Sequence, residues 1–127
     1  MVKENVSTMS DEHVEWLNAL GFYKQELNTI KNRLTEIAGK NTNKQLGTEI
    51  EHYENQVNIQ IRNIGDLRHD IKGNLANAAI QAKNNLAGYI DAEILRNHER
   101  QKETFISEER IINELRQDFN RFASQWM

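Results

Sequence analysis

Residues 16–37, WLNALGFYKQELNTIKNRLTEI, decide the fold. The apolar side chains of this stretch recur in alternating steps of four and three residues, and they are Trp16, Leu20, Tyr23, Leu27, Ile30, Leu34 and Ile37. Such spacing keeps them on one stripe of an α-helix, as in the heptad repeat of a coiled coil. With Ser10 as N-cap and Gly39 as the stop, the pattern predicts a first helix over about 10–38. The polar, aperiodic residues 1–9 predict a flexible N-terminal arm.

The same rhythm continues from Leu46 to Ile71, where Gln60 is the single polar residue of the seam. Thr42 begins a capping box, so the pattern predicts a second helix over about 42–83. The alternative is a break near Gly73, because glycine is a poor helix former, and that break would give four helices.

A third helix is predicted over about 91–127, with Asp91 as N-cap and a turn at about 84–90. Its seam alternates between apolar and polar residues at first and is fully apolar from Ile112 onward. A restart of this helix at Ser107 is the alternative to one continuous helix.

Three helices joined by two short reversals predict an all-α, elongated, antiparallel up-down-up bundle with coiled-coil-like heptad packing. Counting outward from the turns places Trp16 level with Leu67 and Glu108. The second helix then outruns the first, so we expect a two-helix overhang from Leu75 to about Gln101.

The composition limits the possible functions. The chain has 127 residues and no cysteine, which excludes a disulfide framework, a thiolate zinc site and a catalytic cysteine. Its 16 basic and 19 acidic residues show no basic excess, so no nucleic-acid partner is expected. No apolar run approaches ~18 residues and no secretory signal is visible, so we expect a cytoplasmic domain, residues 10–127, without a membrane partner. The absence of proline fits long, uninterrupted helices.

Two histidines, His13 and His98, occupy seam positions and are the candidate metal ligands. The predicted register places them about two turns apart in height, so each is more simply a packing residue. A metal or ligand site across a subunit contact is the alternative. Glu108 is the most unfavourable seam residue, and we expect it to reach solvent or to pair with Arg68 or Arg110.

Carboxylate-bridged metal centres use a glutamate followed three residues later by a histidine. Glu49 and His52 have this spacing, and Asp66 and His69 have the same spacing with aspartate in place of glutamate. Both pairs lie on the second helix, about 25 Å apart at the helical rise, so they cannot converge within one chain. No phosphate loop or nucleophile–base set is found. The sequence therefore predicts no catalytic residue, no enzymatic activity and no cofactor.

Four apolar residues lie off the seams and are the candidate interface: Phe22, Ile59, Ile61 and Ile111. In the predicted register Phe22 and Ile59 have the same height. These residues either broaden the core or form a patch that closes a homodimer.

Two segments, residues 11–27 and the terminal residues 119–127, resemble a group of small bacterial helical proteins of uncharacterised function. The resemblance spans most of the chain, is weakest at about 72–104, and implies a small bacterial bundle without adding a mechanism. The leading hypothesis is a non-enzymatic interaction bundle that self-associates or binds a protein partner. The alternative is a bundle that binds a metal or small ligand through histidines and carboxylates.

Overall fold

The computed structural model describes residues 6–84 and 92–126. They form α1 (Val6–Lys40), α2 (Lys44–Asn84) and α3 (Ala92–Trp126), of 35, 41 and 35 residues. The three seams face one another around a common apolar core, which confirms the all-α three-helix bundle. Over the described ranges, no helix has both the length and the hydropathy needed to cross a membrane.

α1 begins at Val6, earlier than predicted. The arm expected at residues 1–9 is therefore wrong for its last four members, and Ser10 lies inside the helix rather than at its N-cap. Met9 is buried in a small cluster contributed by all three helices, and this apolar contact favours the earlier start. Residues 1–5 lie outside the described part of the chain.

Two asparagine side chains shape the connection between α1 and α2. The Nδ2 of Asn41 donates to the carbonyl of Ile37 at 2.9 Å and so satisfies a group at the end of α1. The Oδ1 of Asn43 accepts from the backbone N–H of Gln45 at 2.8 Å, so Asn43, not Thr42, caps α2.

α2 and α3 run through Gly73 and Ser107 without a break, so neither alternative with an extra helix is found. Gly39 lies within the last turn of α1 rather than beyond it. The predicted cap at Asp91 and the predicted turn, except for Asn84 at the end of α2, lie outside the described residues.

The two-helix overhang predicted from Leu75 to Gln101 is wrong, because α1 packs along this part of the bundle. Met9 forms a buried cluster with Ala78 and Ile94, which belong to α2 and α3. The earlier start of α1 and its smaller offset against α3 together cover the seams that the predicted helix left open.

The register of α1 against α3 also differs from the prediction. Tyr23 donates a hydrogen bond to Glu109, 86 residues along the chain, at 2.7 Å. Trp16 stacks on Phe105 with ring centroids 5.9 Å apart, whereas it was predicted to lie level with Glu108. The predicted offset, which is the difference in residue number between level positions of α1 and α3, is therefore too large by nearly one heptad. A heptad pattern repeats every seven residues, so apolar positions alone do not distinguish registers that differ by one heptad.

Leu27 tests the packing of the seam, because its side chain is 0% exposed at the centre of α1. Leu27→Ala should lower the free energy of unfolding by about 2–5 kcal/mol, the usual cost of a cavity left by a buried leucine. Urea unfolding followed by circular dichroism measures this loss. Val14→Ala, at an exposed position of the same helix, is the control and should cost no more than about 0.5 kcal/mol. Equal losses in the two variants would contradict the assigned seam.

Candidate functional site in the polar half of the core

The bundle core has two unlike halves. The half next to the α1–α2 turn is filled by aliphatic and aromatic side chains, among them Ile37, Leu46 and Phe119. The rest of the core, from the bundle centre to the opposite end, also buries six polar or charged seam residues, here called the polar core: His13, Gln60, Asn74, His98, Gln101 and Glu108. Because buried polar groups need specific partners, these residues are the candidates for a function beyond packing.

The structure brings the two seam histidines into direct contact. Nδ1 of His98 lies 2.9 Å from Nε2 of His13. Nε2 of His98 lies 3.5 Å from a carboxylate oxygen of Glu12. Trp16 stacks on His98 with ring centroids 4.9 Å apart and thus covers the pair. The predicted separation of two turns is wrong, because the true offset between α1 and α3 is shorter.

The contacts assign the protons in the neutral pair. The carboxylate of Glu12 can only accept, so a neutral His98 carries its proton on Nε2 and accepts at Nδ1. His13 then donates from Nε2, and its Nδ1 remains an acceptor with no hydrogen-bond partner among the described residues. Burial, and then the neighbouring His98, lower the pKa of His13 to about 4. His13 is therefore neutral at pH 7.

This arrangement is a hydrogen-bonded pair rather than a metal centre. Three of the four ring nitrogens are engaged by the other histidine or by Glu12, and among the described residues only Nδ1 of His13 keeps a lone pair without a partner. Within the described ranges, no group of three or more His, Cys, Asp or Glu residues could hold a metal ion. The Glu49–His52 pair lies in a cleft at the apolar end, away from Asp66 and His69, as the helical spacing predicts.

Two buried amides in the polar core use their nitrogens and leave their oxygens free. Asn74 donates from Nδ2 to the carbonyl of Ile94 at 3.2 Å, and Gln101 donates from Nε2 to the carbonyl of Asp70 at 3.1 Å. A carbonyl partner requires the nitrogen side of each amide, so the orientation of both is fixed. Oδ1 of Asn74 and Oε1 of Gln101 have no hydrogen-bond partner in the part of the chain that the structure describes.

Glu108 is the third buried acceptor. Its side chain is 6% exposed, and Oε1 has no partner among the described residues, so the expected pairing with Arg68 or Arg110 is not found. Burial raises the pKa of Glu108, because its charged form is poorly solvated there.

These three side chains line a continuous surface depression between α2 and α3, here called the polar groove. It consists of two adjoining clefts of about 270 and 220 Å³ that share Asp70, Arg100 and Gln101. Glu108 lies toward one end of the groove and Asn74 toward the other. The sequence signal was present, since polar residues break the seam at these positions, but the spacing did not show which helix faces would form the groove.

The four interface candidates do not form one patch. Phe22 lies where α1 meets α3, with its ring centroid 5.9 Å from the guanidinium carbon of Arg116. Ile61 is half-buried and packs against the core. Ile111 lines a different groove, between α2 and α3, together with Gln56.

Ile59 and Ile111 are brought to the same face. Ile59 lies three residues after Gln56 and therefore shares its side of α2. The Tyr53–Asp118 contact fixes the antiparallel register in which Ile111 lies level with the residue next to Ile59. Ile59 is 45% exposed and Ile111 is 36% exposed.

Another cleft, of about 650 Å³, lies between α2 and α3 at the apolar end and contains Tyr53, Asp118 and Arg121. Arg121 and Asp118 form an ion pair with each other on the surface. Since these charged groups already have partners, we assign no site to this cleft.

Comparisons with known proteins give no family assignment: no family model matches the chain, and no curated protein or solved structure shows significant similarity to it.

The lowered pKa of His13 predicts a specific loss of stability in acid. Its pKa is about 4 in the folded chain and 6.5 as the ordinary value, so between these pH values the unfolded chain binds more protons. Stability should therefore be unaffected by His13 above pH 6.5 and fall by on the order of 3 kcal/mol as the pH decreases to about 4. Urea unfolding at a series of pH values measures this slope.

The His13→Gln variant should show a flatter pH dependence in this window, whatever its stability at pH 7. His69→Gln, which changes an exposed histidine, should retain the wild-type slope. A His13→Gln variant with the full wild-type slope would show that His13 is not the group responsible.

Proposed function

We propose that this chain is a non-enzymatic binding protein that self-associates through the face of α2 and α3 centred on Ile59 and Ile111. The observation that carries the proposal is the position of these two half-exposed isoleucines at one height on one face of the bundle. A large apolar side chain in water gains about 25 cal/mol for each Å² of apolar surface that a partner covers. Isolated exposed residues are common on protein surfaces, but a shared face at the centre of a long bundle is suited to a symmetric contact.

The sequence around Ile59 is complementary to a second copy of itself. His52 lies one heptad before Ile59 and Asp66 lies one heptad after it, and both are exposed. All three therefore share one side of α2. If two copies pair antiparallel about Ile59, His52 of each copy lies opposite Asp66 of the other. A two-fold axis generates this imidazole–carboxylate contact twice.

Sedimentation velocity of the full chain, over a wide concentration range, tests the proposal. The wild-type protein should form a dimer, and Ile59→Glu with Ile111→Glu should sediment as a monomer, because the variant places charge in the apolar centre of the contact. Helicity should be unchanged, since both side chains are already half-exposed.

Phe22→Glu is the matched control, because it introduces the same charge at a half-exposed apolar residue on the α1–α3 side. It should leave the dimer intact. A wild-type protein that remains monomeric at the highest concentration, or a control that dissociates as readily as the double variant, would contradict the proposal.

A further inference from the structure

We propose that the antiparallel dimer binds Zn²⁺ at two equivalent sites between the copies. Each site takes the Glu49–His52 pair from one copy and the Asp66–His69 pair from the other. This inference rests on the proposed self-association, because the two pairs are seventeen residues apart on α2, about 25 Å at the helical rise. Over the described residues of one chain, no group of three or more His, Cys, Asp or Glu residues could hold a metal ion, so a second copy has to complete the site.

The first argument is the symmetry of the two pairs about the exposed Ile59. His52 and Asp66 lie seven residues before and after Ile59. Glu49 and His69 lie ten residues before and after it. When two copies of α2 pair antiparallel about Ile59, residues equally far from it on either side have the same height. The Glu49–His52 pair of one copy therefore lies level with the Asp66–His69 pair of the other, and a two-fold axis produces this meeting twice.

The second argument is the chemistry and placement of the four side chains, all of which are exposed. In each pair, a spacing of three residues makes the two side chains neighbours on the helix surface, as in the metal centres of helical bundles. His52 and Asp66 lie on the side of α2 that carries Ile59, whereas Glu49 is rotated to one flank of that side and His69 to the other. The ligands therefore approach the ion from several directions. Two imidazole nitrogens and two carboxylate oxygens suit the tetrahedral coordination of zinc.

The third argument is the charge that the pairing brings together. The cleft that contains the Glu49–His52 pair faces the polar groove of the other copy, which the Asp66–His69 pair lines. The exposed charged residues of these two surfaces are four carboxylates and two guanidiniums: Glu49, Asp66, Asp70, Asp118, Arg100 and Arg121. With neutral imidazoles, the excess of two negative charges is neutralised by one divalent cation. A zinc ion replaces the direct contact between His52 and Asp66, and the surface ion pair on α3 stays intact.

Sedimentation velocity of the untagged full chain, in a chelating buffer and with Zn²⁺, tests this site together with the zinc content after gel filtration. With zinc, the wild-type protein should retain one ion per chain. Its dimer dissociation constant should fall at least about tenfold, because an ion that binds only the dimer stabilises it. Mg²⁺ at the same concentration should have no such effect, since imidazole ligands favour zinc over magnesium.

His69→Gln should weaken zinc binding at least about tenfold, because even the outer partners of metal ligands contribute that much. In the chelating buffer it should dimerise as the wild type does, since His69 takes no part in the metal-free contact. Glu49→Gln should also weaken zinc binding. Glu51→Gln is its matched control, because it removes an exposed carboxylate two residues away on another side of α2, and it should bind zinc normally. The Ile59→Glu, Ile111→Glu variant should retain no zinc, since a monomer holds only half of each site.

A wild-type dimer that neither retains zinc nor tightens with it would overturn the zinc site and leave the self-association intact. Zinc retained equally by His69→Gln, or by the monomeric double variant, would also overturn the site, because other groups would then hold the ion. A chain that is monomeric in the chelating buffer and dimerises only with one zinc per chain would support the site and contradict self-association through the isoleucines alone. A chain that is monomeric in both buffers would contradict both.

Discussion

The hydrogen bond between His13 and His98 sets the arrangement of the rest of the bundle. Apolar heptads pack almost equally well after a shift of seven residues, so they bring the helices together without choosing a register. A shift of one heptad would separate the two histidines and bury each without a partner, which costs free energy. The 2.9 Å contact therefore selects one offset of α1 against α3. That offset places Trp16 over His98, pairs Tyr23 with Glu109 and aligns Met9 with its cluster.

The two halves of the core stabilise the fold in different ways. In the apolar half, side chains such as Leu34, Ile37 and Phe119 stabilise the fold through burial alone. In the polar half, the fold depends on directed contacts from Asn74 and Gln101 to backbone carbonyls. Polar cores favour one arrangement over others while adding less stability than apolar cores of the same volume. Asn74, Gln101 and Glu108 of this half also line the polar groove between α2 and α3.

The sequence was sufficient for the helices and insufficient for their offset. The steps of four and three from Trp16 to Ile37 predicted α1, and the corresponding seams predicted α2 and α3, because helical periodicity is a local property. The contact between His13 and His98 depends on the register across two successive reversals of the chain, and the predicted offset of α1 against α3 was too long by nearly a heptad. Ile111, Ile59 and Phe22 were all recognised as off-seam residues, but the heptad pattern did not show that Phe22 lies beside Arg116, where α1 meets α3. The polar groove was missed because Gln101 and Glu108 were interpreted only as polar interruptions of the third seam.

The offset of α1 against α3 can be measured directly by nuclear Overhauser effects between side-chain ring protons of the wild-type protein. The observed packing should give cross-peaks between the rings of His13 and His98, and between those of Trp16 and Phe105. Cross-peaks from Trp16 to the side chain of Ile112, with none between the two histidines, would place the helices one heptad apart from this arrangement. That result would contradict the role of the histidine pair in setting the register.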